Sequence, residues 1–370
     1  MRRVIHLIIG LNKGGAETML YNLLKHRKKI NLEHRVISLL GEGYYGEKIR
    51  DLGIPVVVLD IRRNPIRSLW QCFREIRNAD ILSTWMYHAN FLGFWVAKIV
   101  GCRRVVWNIR HSNLNPKLNR RTTIFICRLC GILSQFVSVI AYNGNESRRA
   151  HEAVGYDNSK SVVLDNGCDT SEYRKHENGK EYLLQELGLD GCRSPIILSV
   201  AKWSMQKDVP NLLKAAALLK KQNFSVKIVL CGSGLDAENP DFLSSLRENG
   251  LVLDEDVFGL GMRDDISQIM SGCDLFVLHS AGEAFPNVLI QAMACECACI
   301  ATDVGDSCRI LNNKKRIVPP KNSMQLANKI VEVLSELNLE VEGALNREQV
   351  LLNFSIGAVV ADYERMWGHF

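Results

Sequence analysis

The chain has 370 residues, 47% of them hydrophobic and 23% charged, with 9 Pro and a formal net charge of +6. This composition excludes a disordered chain, a collagen-like repeat, a coiled-coil rod and a long flexible linker, and at about 150 residues per domain the length calls for two domains. Charge is uneven: residues 1–165 hold 26 Lys+Arg against 12 Asp+Glu, while residues 166–370 hold 20 against 28. The first half therefore either has a basic solvated surface or faces something anionic, such as lipid head groups, lipid-linked phosphates or nucleic acid.

In chain order, Val4–Ile9 reads as a buried strand, followed by a glycine-containing loop and a helix over Glu17–Lys28. Strands follow at Arg35–Leu40, Pro55–Leu59, Ile81–Thr84, Arg104–Asn108, Ser138–Tyr142 and Ser161–Leu164, with helices between them. Each strand is a continuous apolar run, as required of parallel strands covered on both faces. Residues 166–191 are polar, contain Asn166-Gly167, Gly179 and Gly191, and read as an interdomain linker. A second alternating series then begins. It has strands at Ile196–Val200, Val226–Cys231, Val257-Phe258, Asp274–His279 and Ala298–Thr302, and helices at Asn211–Lys221 and Asn287–Cys295. The tail from 322 is helix-like, notably Met324–Leu337 and Ile356–Trp367. Two βαβ series predict two doubly wound Rossmann-like domains facing across a cleft, with ligands at the carboxyl ends of the strands. The expected division is 1–165, the linker 166–191 and 192–355, with the helix of about 356–370 packing back on the first domain.

The stretch from Ser280 to Ala294 says most about chemistry. A buried strand runs into a loop, Pro286 stands at the expected first helical position, and the helix start offers backbone N–H groups and a positive dipole end to an anion such as a diphosphate. Glu283 is placed to accept sugar hydroxyls and Gln291, a turn further on, to reach a ribose. The competing reading is an acid that merely stabilises a helix dipole. Lys202 and Lys207 follow a strand end and can supply positive charge; the competing reading is exposed surface lysine. Gly14 and Gly15 allow close backbone approach to a ligand, or simply form a turn. Arg263 follows the short strand Val257-Phe258, and Asp264-Asp265 beside it reads equally as a helix N-cap pair.

These pieces together resemble the retaining glycosyltransferases of the GT-B fold, family 4. The family's Glu-x7-Glu followed by Ala-Met-Ala is similar to Glu283-x7-Gln291-Ala292-Met293-Ala294. Gly14-Gly15-Ala16-Glu17, Asp165-Asn166-Gly167-Cys168-Asp169, Ser199–Trp203 with Gln206-Lys207-Asp208, and Cys231-Gly232-Ser233-Gly234 match further family segments in order. The resemblance implies transfer of a sugar from a nucleotide-sugar, UDP being the family-level expectation, to an acceptor, with retention and without a metal or other cofactor. His111, Lys202, Lys207 and Glu283 take the catalytic positions. The donor is assigned to Gly14, Gly15, Gly232, Arg263, Ala284, Phe285, Asn287, Val288 and Gln291, in the second domain save for the two glycines. His88 and Asn90 are acceptor-pocket candidates in the first. The expected acceptor is a glycan or a lipid-linked glycan in polysaccharide or lipopolysaccharide synthesis, with an anionic membrane surface as a further partner and no nucleic acid.

Two departures keep alternatives open. Lys202 stands where the family has Arg and loses the bidentate fork, and Gln291 stands where it has Glu. A nucleotide-sugar-binding subunit without turnover and a sugar-nucleotide epimerase are the rival readings. Gly10-x3-Gly14-Gly15 is not a dinucleotide fingerprint. Asp254-Glu-Asp256 reads as surface rather than a metal loop. Cys127/Cys130 and Cys295/Cys297/Cys299 lack a second ligand pair at zinc spacing and read as buried hydrophobes in a reducing compartment. The basic start, Met1-Arg2-Arg3, precedes too short an apolar run for a signal peptide, and runs 81–101 and 122–142 are broken by polar residues. The expected location is cytoplasmic, peripheral on the inner face of the membrane.

Overall fold

In the computed structural model, which describes residues 2–28, 32–115, 119–336 and 338–369, the chain forms two compact units. One comprises residues 1–167 with 356–370, and the other residues 168–355. Met1, Leu337 and Phe370, the ends of three expected segments, lie outside the described residues.

The first unit runs β1 (Arg2–Ile8), α1 (Gly15–Lys25), β2 (Leu32–Ser38), α2 (Gly46–Asp51), β3 (Val56–Val58), α3 (Pro65–Ile76), β4 (Ile81–Trp85), α4 (Tyr87–Val100), β5 (Val105–Ile109), α5 (Arg121–Leu133), β6 (Val139–Tyr142), α6 (Asn145–Glu152) and β7 (Ser161–Val163). All its strand pairings are parallel, in the order β3-β2-β1-β4-β5-β6-β7. Successive strand residues enter opposite layers. Ile5 and Leu7 join the core under α3, α4 and α5, whereas Val4 and Ile8 join the core under α1. Both faces being covered, β4 and β5 are buried end to end.

The second unit runs α7 (Gly179–Glu186), β8 (Ile196–Val200), α8 (Val209–Lys221), β9 (Lys227–Cys231), α9 (Pro240–Glu248), β10 (Val257–Gly259), α10 (Ile266–Gly272), β11 (Leu275–Leu278), α11 (Asn287–Ala294), β12 (Cys299–Thr302), α12 (Ser307–Leu311), β13 (Ile317–Val318), α13 (Ser323–Leu334) and α14 (Leu339–Asn353). Its parallel sheet has the order β10-β9-β8-β11-β12-β13. Alternation recurs: Ile196 and Leu198 face one core, Ile197 the other. Segment 166–191 differs from the expected linker. From Cys168 onward it belongs to the second unit, and α7 within it packs on α10, with His176 donating from its backbone to Ser271 Oγ at 3.1 Å.

The last helix, α15 (Ile356–Gly368), belongs to the first unit. Its Ile356, Val359, Val360, Tyr363 and Trp367 are buried at helical spacing. Tyr363 stacks on Trp85 at 6.4 Å and donates its hydroxyl to Asn108 Oδ1 at 3.0 Å, while Asn108 Nδ2 donates to Ser83 Oγ at 2.9 Å. The buried phenol is thus satisfied by a buried amide, which seats α15 on β4 and β5.

Candidate active site

Strand order in the second unit reverses direction between β8 and β11. At such a switch point the loops leaving the two strands diverge and open a crevice at their carboxyl ends. The loop after β8, residues 201–208, and the loop after β11, residues 279–286, clasp each other there. Ala281 N–H donates to the Gln206 carbonyl at 2.9 Å, and Gln206 Nε2 donates to the Gly282 carbonyl at 2.9 Å. Between these two bonds Lys207 Nζ meets Glu283 Oε1 at 2.5 Å, and Ser280 Oγ donates to the same oxygen at 2.7 Å. Thr302 on β12 holds Ser280 by its carbonyl at 2.7 Å. Two residues expected to carry catalysis, 76 positions apart, therefore form one ion pair.

The backbone beneath the pair is specialised. Asp208 has φ 51° and ψ 46°, a left-handed conformation at the N-cap of α8, and burial raises its carboxyl pKa. Gly305, at φ +57°, lets the loop after β12 lie on the Glu283–Ala284 backbone, where a Cβ would come within 2.7 Å of the Glu283 carbonyl oxygen. Gly232, at φ +135°, lies against Ala201, and a Cβ there would overlap the Ala201 carbonyl oxygen. Its expected donor contact thus comes with a steric requirement of the fold. His279 closes β11, buried beside the Lys207 and Asp208 backbone; burial holds its pKa down to about 4, so the ring is neutral at neutral pH.

α11 leads away from Glu283. Pro286 is its N-cap rather than its first residue and lends no side-chain hydrogen bond. The positive end of the helix dipole thus lies beside the pair. Two of the donor assignments, Phe285 and Val288, rest on backbone amides. Phe285 is buried against Phe354, with ring centroids 5.9 Å apart, and Val288 is half-buried against the same core, so the Phe285 ring faces the core and its backbone faces the loop. Ala284 and Asn287 lie on either side of Phe285-Pro286, and Gln291 is half-buried one turn into the helix. Lys202 is exposed at the end of β8. Arg263 is held by ion pairs within its own unit. Its guanidinium bonds Asp265 Oδ1 at 2.8 Å and Oδ2 at 2.6 Å and Glu186 Oε2 at 2.6 Å, so two carboxylates already take its charge. The same pairing pulls the Asp265 pKa down to about 2.

In the first unit the switch lies between β1 and β4. Gly14 and Gly15 follow β1, His88 follows β4 and His111 follows β5, three adjacent strands ending on one edge. His88 is exposed. Asn90 is not an acceptor contact: it is fully buried and accepts from Thr84 Oγ1 at 2.7 Å inside the core. His111 Nε2 is buried without a hydrogen-bond partner among the described residues, and its carbonyl accepts from Ser147 Oγ at 2.7 Å. Two neighbours carry no motif. Met86, at φ 68° and ψ 165°, occupies a backbone region that is essentially glycine's own, strain of the kind that concentrates at functional sites. Arg110 lies against both the Trp85 and Tyr363 rings, at 5.5 and 5.6 Å, and donates to Asn166 Oδ1 at 2.9 Å. Ser280 and Gln206 stand in segments the sequence singles out, but their hydrogen bonds, like the role of Gly305, are fixed by partners distant in the chain.

The family model for Glycosyltransferase Family 4 matches residues 13–172, and that for Glycosyl transferases group 1 matches residues 191–343. The chain belongs to the family 4 glycosyltransferases. Relatives of this GT-B enzyme agree over nearly its whole length. The N,N'-diacetylbacillosaminyl-diphospho-undecaprenol alpha-1,3-N-acetylgalactosaminyltransferase of Campylobacter jejuni is 26% identical, over 93% of this glycosyltransferase and 92% of its own length. The UDP-Gal:alpha-D-GlcNAc-diphosphoundecaprenol alpha-1,3-galactosyltransferase of Escherichia coli is 22% identical over 85% and 82%. The crystal structure of Anabaena HepE in complex with UDP-glucose shares the fold, with a TM-score of 0.84, 21% identity and full coverage of both chains. No helix among the described residues is long and apolar enough to cross a membrane.

Proposed function

We propose that this glycosyltransferase moves a sugar from a UDP-sugar to a glycan or lipid-linked acceptor of cell-surface polysaccharide or lipopolysaccharide synthesis, with retention and without a metal ion. The observation that carries the reading is the Lys207–Glu283 pair, held at the switch point beside the start of α11. A departing nucleoside diphosphate gains negative charge, and fixed positive partners lower that barrier most. Lys207, Lys202 and the 285–288 amides are such partners. Glu283 anchors Lys207 and accepts hydroxyls of the sugar. The acceptor hydroxyl attacks from the leaving-group face, and the departing phosphate takes its proton. His111 steadies the sugar, and the loops after β4 and β5 receive the acceptor. The two diphospho-undecaprenol transferases named above and the UDP-glucose complex of HepE support the donor and acceptor classes. The basic first unit fits an anionic membrane surface on the cytoplasmic side.

Calorimetric titration of nucleoside diphosphates and their sugars, without added metal, into wild type and Glu283→Ala tests this. One nucleotide-sugar should bind, and Glu283→Ala should weaken its sugar form more than the bare diphosphate. No binding by any of them would end the reading. Binding without transfer to any lipid-linked acceptor would favour the binding-subunit alternative that Lys202 and Gln291 raise, and a changed sugar-nucleotide without acceptor would favour epimerisation.

A further inference from the structure

We propose that the outward face of α3, α4 and α5 docks the enzyme on an anionic phospholipid bilayer. The inference rests on the lipid-linked acceptor reading for its purpose, but its evidence is separate. The three helices cover one side of the first sheet, with α4 packed between α3 and α5, so their outer surfaces face the same way. On α5, Arg121, Phe125, Arg128 and Ile132 recur at i, i+4, i+7 and i+11, all exposed, with Phe125 63% and Ile132 66% accessible. α4 adds exposed Trp95 and Ile99, and between them Lys98 Nζ lies 5.6 and 5.7 Å from the Phe94 and Phe136 rings. α3 adds Ile66, 86% exposed, and Trp70, over whose ring the Arg74 guanidinium sits at 5.2 Å.

Charge makes the face specific. From Ile81 to Asn145, the stretch that holds α4 and α5, the chain has no Asp or Glu, and Lys98, Arg103, Arg120, Arg121 and Arg128 are exposed on it; α3 lies outside that stretch, and its Glu75 is taken up by Arg74 and Arg35. Exposed aromatic and branched apolar side chains interleaved with arginine match a bilayer interface, where rings enter the head-group boundary and guanidinium groups stay with phosphates. The exposed Val341, Leu345 and Leu352 of α14 form another apolar stripe, but Glu340, Glu342 and Glu348 accompany it, and an anionic surface would repel it.

The test is co-sedimentation of the full chain with phosphatidylcholine vesicles and with mixed phosphatidylcholine–phosphatidylglycerol vesicles, at low and high salt. Binding should require phosphatidylglycerol and weaken with salt. Arg121→Gln/Arg128→Gln should lower binding about 25-fold, roughly fivefold per charge. Phe125→Ser/Ile132→Ser should lower it by at least about tenfold with an unchanged melting temperature. Leu345→Ser/Leu352→Ser on α14 should bind like wild type. A chain that stays in the supernatant with anionic vesicles, or helix-face variants that bind like wild type, would overturn the proposal. So would self-association of the wild type that the same variants abolish, since the face would then be a protein interface. Nucleotide binding measured on the same samples separates failure of the docking face from failure of the glycosyl-transfer reading.

Discussion

Removing one member of the Lys207–Glu283 pair should cost more than removing the other, and the structure says which. The Glu283 side chain is 8% exposed and that of Lys207 22%. In Lys207→Ala the carboxylate stays enclosed with the Ser280 hydroxyl still on Oε1, and it loses the Lys207 ammonium. Breaking a buried pair costs about 3–5 kcal/mol, and the partial exposure of Lys207 brings the expectation to about 2–3 kcal/mol. In Glu283→Ala the lysine stem can swing its ammonium into water, so about 1 kcal/mol is expected. The double variant removes the enclosed carboxylate together with the ammonium and should be more stable than Lys207→Ala alone. Urea unfolding of the four proteins measures all three terms. Calorimetry on the same set should show nucleoside diphosphate binding about 10–100-fold weaker in Lys207→Ala, the worth of one charged hydrogen bond. Equal losses in the two single variants, or a double variant whose loss is their sum, would refute the buried-carboxylate argument.

Four further outcomes follow. Asp208→Gly relieves a left-handed backbone and removes a half-buried carboxyl, so it should stabilise the protein by about 1 kcal/mol, seen as a rise of a few degrees in melting temperature. Gly232→Ala should cost about 3–5 kcal/mol, read as lost soluble yield or an early melt, because its Cβ meets the Ala201 carbonyl at positive φ. Gly282→Ala, with nothing nearer than Gln206 Cγ at 4.0 Å, should stay within about 0.5 kcal/mol of wild type. His34, His151 and His279 are buried with pKa values near 4, so between that value and about 6.5 the unfolded chain binds more protons than the folded one. Their contribution is whole above pH 6.5 and is lost as pH falls toward 4, about 2 kcal/mol for each ring by pH 5. Urea midpoints that do not move between pH 7 and pH 5 would sink this account.

Much of this protein is determined by local pattern. Apolar-rich runs such as Ile81–Trp85 and Ile196–Val200 are strands buried along nearly all their length because both faces of each sheet are covered, small Ser83, Thr84 and Ser199 included. Glu283 and Lys207 were legible as candidates because each follows such a run, where a doubly wound sheet presents its loops. What local pattern cannot carry is pairing at a distance. Nothing in the sequence says that Lys207 spends its charge on Glu283, that Asp265 and Glu186 occupy Arg263, or that Thr84 takes the Asn90 amide into the core. The linker reading of 166–191 failed for the same reason: polar composition marks solvent contact, while the packing of α7 on α10 decides which unit holds the segment. Strand and helix follow from each residue's own burial and periodicity. A charged or amide side chain follows whichever partner satisfies it once buried, and only the folded chain brings that partner near.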